Sequence, residues 1–476
     1  MKKSGTGPHS GVGRPSVPAT TAKPFVRAGA PSRRPANGAV KGRPTAAGPT
    51  LSVAEALAKV SPARWAAFEI LMLVGQGKGH SDELLHSQRT DALSPEDRNL
   101  ATALVMGVLR WQIALDARVR GLLQRPEQRL AEEVAIALRI GAFQLLHMDR
   151  IPVHAALSES VELCRAAGQP HATGMVNAVL RKVAAAQKPG VRVFESTAAF
   201  AERLAHPLWL VERWVKAYGR EAALKICEAD QHEHGEGGMF ANTPESAAAL
   251  PVMDDGSRLV AEIAAAAMPA GLDQSARVWD CCAAPGGKTL ILALRLPQAE
   301  VLATDVSARR LAQMQARMRR HAYAERVKCA VVDAAEEKNV RGEFDLILCD
   351  VPCSGTGTLA GNPEIRHVLR VEELERQSSR QKRILRGALQ RLAPGGRLVY
   401  STCSLEPEEC EQVVDALVAE QNLRRIPIED VLLDLPVNIA LPQGTQPESA
   451  IRNGALRTLP GVHGCDGFFA VVLARN

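Results

Sequence analysis

The sequence predicts a doubly wound α/β domain with a mostly parallel sheet, preceded by an all-helical domain. Three observations carry this. From residue 276 onward, short apolar runs alternate with helix-forming stretches. Residues 51–190 instead repeat apolar side chains at helical spacing throughout. Where the pattern changes, an apolar run ends at Asp280 and a helix-forming stretch begins at Lys288. Between them lies Cys282-Ala283-Ala284-Pro285-Gly286-Gly287. That order is strand, tight turn, helix. The glycines let a ligand approach the main chain, and the helix start offers free N–H groups. The loop matches neither the dinucleotide fingerprint nor the phosphate loop. Alone, it predicts a nucleotide-like ligand or an ordinary turn.

The 476 residues suffice for two or three full-sized domains. With 46% hydrophobic and 23% charged residues, the composition is that of a soluble protein. No charge-free apolar run reaches membrane-spanning length, and the first residues lack the apolar core of a secretory signal. The 10 cysteines include no Cys-x-x-Cys, which fits reduced cytosolic thiols. Residues 1–50 hold nine Lys or Arg and no acid, leaving 49 basic against 52 acidic side chains in the rest. The folded part is therefore not broadly basic, and any nucleic acid needs a local patch. Segment 1–50 reads as a solvated tail, an RNA-touching arm or, less well, a transit peptide.

In the helical domain, 63–74, 98–116, 132–148, 155–165 and 172–184 read as helices. No convergent set of reactive residues appears among them, so the domain binds or supports. His154 reads as a helix-start or packing residue, and His80 and His86 as surface positions. Residues 191–270 form a connector in which Trp209 and Trp214 are expected to be core anchors. A short strand is expected near 238–243, and Asp254-Asp255-Gly256 reads as a surface turn.

Residues 271–476 form the α/β domain. Its strands are expected to end at Asp280, to span 300–305, 327–333, 344–350 and 397–404, and to finish with an apolar strand from 466 to 474. A helix is expected over 406–420. Ligands in such sheets lie beyond the C-terminal ends of the strands. Asp280, Asp305, Asp333 and Asp350 sit at or beside those ends. Asp305 is placed to accept ribose hydroxyls, and Asp333 to face a base. The carboxylates could instead hold a divalent metal, but no histidines accompany them.

Two further segments add nucleophiles: Asp350-Val351-Pro352-Cys353-Ser354-Gly355-Thr356-Gly357 and Ser401-Thr402-Cys403-Ser404. If the fourth and fifth strands are neighbours, Cys353 and Cys403 share one rim. Two thiols and a carboxylate at a nucleoside site suit attack on an electron-poor pyrimidine carbon. A disulfide between them is another reading; a four-cysteine zinc site has the wrong spacing. Cys281, Cys329, Cys349 and Cys410 read as packing residues.

These motifs resemble those of the RNA cytosine-5 methyltransferases, which use S-adenosylmethionine and two motif cysteines. Joined to the helical domain, they resemble the bacterial members acting on small-subunit ribosomal RNA. The helical domain itself is similar to the antitermination factor NusB, through Pro95–Arg98, Gly107–Arg110, Leu138–Leu145, Arg150–Pro152 with His154–Ala156, and Val176–Arg181. The resemblance covers roughly 60 to 476. It implies that Cys282 through Lys288, with Asp305, Asp333 and Asp350, hold S-adenosylmethionine. It implies that Cys403 attacks C6 of the cytosine, that Cys353 assists release, and that Asp350 lies beside the reacting ring. Lys288 would orient Asp350 or depress a thiol pKa. It further implies a cytoplasmic monomer acting on free or partly assembled small-subunit RNA, with no membrane and no metal. Val351 stands where the family has alanine. His367, in the segment Asn362–His367, stands where tryptophan is frequent, so no stacking role is assigned to it. Asp466-Gly467-Phe468-Phe469 matches the family's last motif. Other readings are the same chemistry on transfer RNA or another ribosomal position, a non-catalytic RNA-binding or assembly factor, and a small-molecule methyltransferase. A pure binder would not need both cysteines.

Overall fold

The computed structural model describes residues 53–186, 195–232, 239–240, 250–271, 276–336, 340–435, 445 and 447–476. The basic segment 1–50 and most of the strand expected at 238–243 lie outside these residues; Met239 and Phe240 form a turn.

The helical domain comprises α1 (Val53–Leu57), α2 (Pro62–Gly75), α3 (Ser81–Leu85), α4 (Gln88–Asp91), α5 (Pro95–Arg120), α6 (Glu132–His147), α7 (Val153–Ala166) and α8 (Thr173–Ala185). α5 starts earlier than the apolar periodicity suggests, because Ser94 caps it: its hydroxyl accepts from the Asp97 N–H at 3.1 Å and Pro95 follows. Leu104, Val108, Leu138, Ile140, Val179 and Leu180 share one core. Gly107 lets α6 pack close, since a Cβ there would lie 1.9 Å from the Phe143 ring. By length and composition α5 could cross a membrane. Here its apolar stripe is the bundle core, and Arg110 within it is buried and donates to the Ala360 carbonyl at 2.8 Å. His154 sits in the first turn of α7 and is exposed, so it starts a helix and packs nothing.

The connector holds α9 (Thr197–Arg203), α10 (Leu208–Tyr218) and α11 (Arg220–Ala229). Trp214 is the expected anchor: it is 1% exposed and packs in a core shared with Leu359, Leu405 and Leu459 of the α/β domain. Trp209 is only partly buried. The next helix, α12 (Asp255–Ala266), corrects the surface turn expected at 254–256. Asp254 caps α12, accepting from Gly256 N–H at 2.7 Å, and Gly256 is buried against Phe468.

The α/β domain continues as β1 (Arg277–Asp280), α13 (Gly287–Arg295), β2 (Glu300–Asp305), α14 (Ala308–Met318), β3 (Val327–Val331), β4 (Phe344–Asp350), α15 (Ile365–Val368), α16 (Val371–Leu389), β5 (Leu392–Thr402), α17 (Glu411–Gln421), β6 (Leu423–Ile426), α18 (Ile428–Leu432), β7 (Ile451–Arg452), β8 (Ala455–Arg457) and β9 (Phe469–Arg475). The strand order is β3-β2-β1-β4-β5-β9-β8-β7, with β6 also on β9. The first five strands run parallel; β9 is antiparallel to β5. The chain winds outward from β1 to β3, then returns to β4 beside β1. The switch point between β1 and β4 opens the crevice where ligands bind in this architecture.

Two expected elements differ. β3 stops at Val331, an edge position with its side chain exposed, and Asp333 lies in the following turn, where its carboxylate accepts from the Ala335 N–H at 3.0 Å. The helix expected over 406–420 is split. Residues Pro407–Glu409 form a 3-10 turn, and Cys410 (φ −117°, ψ −101°) breaks the path before α17.

Candidate active site

Strand pairing sets the site. Asp350, the last residue of β4, is level with Ser401 of β5, so the chain leaves both strands on one rim. Cys403 follows β5 directly and Cys353 follows β4 by three residues. Their sulfurs are 3.3 Å apart, both are free, and both are partly exposed. The contact with Cys403 pushes the Cys353 pKa well above its ordinary value, and burial adds to it.

The ionised groups beside the thiols are placed with equal economy. The Lys288 ammonium pairs with Asp350 at 2.7 Å and donates to the Ser257 hydroxyl at 2.7 Å. The Ser401 hydroxyl donates to the other Asp350 oxygen at 2.8 Å. Lys288 also lies 5.0 Å over the Phe468 ring. Of the two roles considered for Lys288, the pairing with Asp350 fits the first. Below the loop, Asp280 is buried and accepts from the Thr289 hydroxyl at 2.6 Å; burial pushes its carboxyl up to about 7.

The predicted ligand residues line two adjoining cavities. Gly286, Gly287 and Lys288 line one of about 460 Å³ with Met253, Ser257 and Asp280. Asp305 and Asp333 line one of about 150 Å³ with Val351 and Pro352. Cys282, Ala284 and Asp350 border both. Gly286 adopts φ +105°, and a Cβ there would lie 2.7 Å from Met314, so the turn admits only glycine. Asp305 is buried, takes the Ser307 N–H at 2.8 Å, and pairs with Arg310 at 3.2 Å. Arg310 also donates to the Ala284 carbonyl at 2.6 Å. The sequence reading missed Arg310, although an arginine one turn after a carboxylate-ended strand is a usable signal.

It also missed what holds the two cysteine loops together. Glu409 is fully buried. Its carboxylate accepts from the Ser354 N–H at 2.9 Å, the Ser404 hydroxyl at 2.6 Å, Gln381 at 3.1 Å and the Ser354 hydroxyl. Ser354 and Ser404 each adjoin a motif cysteine. Burial pushes the Glu409 carboxyl up, and these donors pull it back. From further away, Arg457 donates to the Ser404 carbonyl at 3.0 Å and Trp214 to Glu406 at 3.0 Å. A Cβ on Gly357 would lie 2.1 Å from the Gly467 carbonyl, which packs the terminal motif against the Cys353 loop.

The segment after the Cys353 loop docks the helical domain. Arg366 is buried and donates to the Arg110 carbonyl at 3.0 Å, and Ser81 donates to Glu364 at 2.9 Å. His367 bonds the Leu109 carbonyl at 2.7 Å, and burial lowers its pKa to about 4. It is a domain-joining residue. Cys281, Cys349 and Cys410 are buried as expected; Cys329 is half-buried. Among the described residues no cluster suited to a metal ion is present.

Residues 270–474 match the family described as 16S rRNA methyltransferase RsmB/F, and residues 61–185 match the NusB family. The chain is 30% identical over 463 residues to a probable ribosomal RNA small subunit methyltransferase B of Bacillus subtilis, covering 86% of this chain and 98% of that one. It is 32% identical over 462 residues to ribosomal RNA small subunit methyltransferase B of Xanthomonas campestris, covering 89% and 100%. In fold it is similar to the solved structure of PH0851, with a TM-score of 0.64, 20% identity, and coverage of 87% and 99%. With the glycine loop, the strand-end carboxylates and the helical domain all in the expected order, the chain belongs to the ribosomal RNA small subunit methyltransferase B family.

Proposed function

We propose that this protein methylates C5 of a cytosine in small-subunit (16S) ribosomal RNA, through a covalent bond from Cys403 to C6 that is released with help from Cys353. The observation that carries this reading is the pair of free thiols 3.3 Å apart on the rim, beside the Lys288–Asp350 pair. A binding protein has no use for either.

The cofactor in this reading is S-adenosylmethionine, which supplies an electrophilic methyl group. Two joined cavities suit a long ligand with a nucleoside at one end. Asp305 and Asp333 offer acceptors to its hydroxyls and base. Residues 282–288 and Asp350 border the remainder. To engage the ribose fully, Asp305 exchanges its contact with Arg310.

The chain's own residues then act on the cytosine. The base is unpaired or flipped to reach the rim. Cys403 sulfur adds to C6, which raises electron density at C5; C5 then takes the methyl group and for a moment carries both it and its own proton. Asp350, held by Lys288, meets the polar edge of the ring, accepting from N4 or, when protonated, donating to N3 to neutralise the charge that develops there. Once Cys403 is bonded to carbon, the contact that raised the Cys353 pKa is gone, and Cys353 can release its proton. Its thiolate, directly or through water, removes the C5 proton. Electrons return to the ring, the bond from C6 to sulfur breaks, and Cys403 leaves as thiolate. The reading further takes the protein to be a cytoplasmic monomer, and ten free thiols are in keeping with a reducing compartment.

The test is incubation with labelled S-adenosylmethionine and unmodified small-subunit RNA, followed by mapping of the label. Label at C5 of one cytosine is expected. Label on another atom, or on transfer RNA alone, rejects the reading.

A further inference from the structure

Outside the thiol site, the strongest unassigned feature is the outer face of α14. Leu311, Met314 and Met318 are buried and anchor the helix on the sheet. Between residues 308 and 321 the chain has five arginines and no acid. All five arginines are exposed. Two are committed: Arg309 pairs with Glu83 and Arg310 with Asp305. Arg317, Arg319 and Arg320 have no ion-pair partner among the described residues. α16 is mixed instead: Glu372, Glu373 and Glu375 stand among its basic residues, and Arg376 and Arg386 pair with Glu373 and Glu420, although the exposed Arg383 has no such pair. Because residues 51–476 hold 49 basic against 52 acidic side chains, an unmatched basic face is conspicuous.

Its position gives it a use. α14 forms one wall of a cleft of about 1640 Å³ whose other wall is α3 and α4 of the helical domain. At its far end, Arg317 and Arg320 line the 460 Å³ cavity that also holds Lys288 and Asp350. Arg317 lines both spaces. A ligand lying along α14, about 16 Å for its 11 residues, passes from the interdomain cleft to the active rim. The opposite wall carries Asp82, Glu83 and Asp91 against the single Arg89, so α14 is the more basic side for a polyanion.

We infer that the exposed face of α14 is a track for the phosphate backbone of the substrate RNA, with Arg317, Arg319 and Arg320 neutralising phosphates next to the target nucleotide. This rests on the RNA-methyltransferase reading above and names where that RNA lies on the catalytic domain. Such contacts hold the strand without reading its sequence.

The test uses the full chain with Arg317, Arg319 and Arg320 all changed to Gln, and an unmodified small-subunit RNA transcript. RNA affinity is expected to fall about tenfold or more at low salt. The slope of log K against log salt is expected to shrink by about two, since each lost phosphate contact removes roughly 0.7–0.9. Calorimetric affinity for S-adenosylmethionine is expected to change far less than RNA affinity, because residues 282–288, Asp305 and Asp333 are untouched. Unaltered RNA affinity and slope overturn the inference. So does a loss of S-adenosylmethionine affinity as large as the loss of RNA affinity, which assigns the arginines to the cofactor. Ultraviolet crosslinking of the unaltered protein to RNA checks the same point without a variant: a crosslinked peptide within 308–321 is expected, and crosslinks confined to other segments reject the track. A wild-type protein that methylates RNA beside a variant of equal KM removes only the track. A wild-type protein that neither binds nor methylates small-subunit RNA removes the underlying reading as well.

Discussion

Two pairs of cysteines in this molecule have the same separation and opposite characters. Cys353 and Cys403 lie 3.3 Å apart, and so do Cys281 and Cys349. Distance between sulfurs therefore does not make a thiol reactive. The second pair sits where β1 and β4 run side by side, with Cys281 1% and Cys349 0% exposed. Burial pushes the Cys349 thiol up, and the Asp280 and Asp350 carboxylates add to this, although Cys281 borders the smaller cavity. The first pair stands beyond the strand ends, partly exposed, next to the Lys288–Asp350 pair and above the fixed carboxylate of Glu409. Burial decides the difference: Cys281 and Cys403 each follow their strand by one residue, but Cys281 packs with Cys349 in the core while Cys403 stays partly exposed.

The sharpest way to break this contrast is to remove the proposed nucleophile. Cys403→Ala is expected to lower methylation by at least ~10³-fold while S-adenosylmethionine affinity stays nearly constant. Turnover near the wild-type rate would place both pairs in the same inert class. Cys353→Ala is expected to retain attack and lose release. A protein–RNA adduct should then appear as a shifted band on a denaturing gel. An active Cys403 with no such band rejects the release role.

Glu409 tests whether the rim pair depends on its support. Glu409→Gln keeps the shape and removes the charge. Because that charge helps to hold the Cys353 pKa up, its removal lowers the pKa. The pH profile for alkylation of Cys353 is thus expected to move to lower pH. kcat is expected to fall roughly 10–100-fold, or about 1.4–2.7 kcal/mol of barrier, with cofactor affinity retained. A variant with an unmoved profile and normal kcat would show that the serines alone set the two loops.

How much of this was legible in the sequence follows the same division. The strand-end residues were legible, because a strand followed by a glycine turn or a Pro-Cys step announces its own C-terminal end. Asp280, Asp305, Asp350, Cys353 and Cys403 all fall on the expected rim. The support was not. Glu408 and Glu409 are adjacent and chemically identical, yet Glu408 pairs with the partly exposed Arg213 while Glu409 is fully buried under both cysteine loops. Only the break at Cys410 turns one inward, and a helical pattern over 406–420 hides that break. Asp333 was placed on a strand end because valines run up to it. The edge strand has no further neighbour there to pair with, so it frays into a turn. His367 shows a third case, where the partner is remote in sequence: its carbonyl acceptor at Leu109 belongs to the other domain.

The smallest expected effect concerns the buried pair. Cys349→Ala removes one sulfur from a packed core and is expected to cost about 1–2 kcal/mol of stability, measured by denaturant midpoint. Methylation per folded molecule should be unchanged. Brief alkylation of the native protein by iodoacetamide at mildly alkaline pH should, by the same logic, label Cys403 or Cys353 and spare Cys281 and Cys349. The buried pair becomes reactive only after denaturation, since its raised pKa and its burial disappear together when β1 and β4 separate. Native labelling of Cys349, or loss of methylation in Cys349→Ala with stability intact, would mean that the inner sulfurs take part in the chemistry, and that burial does not divide reactive from inert thiols in this fold.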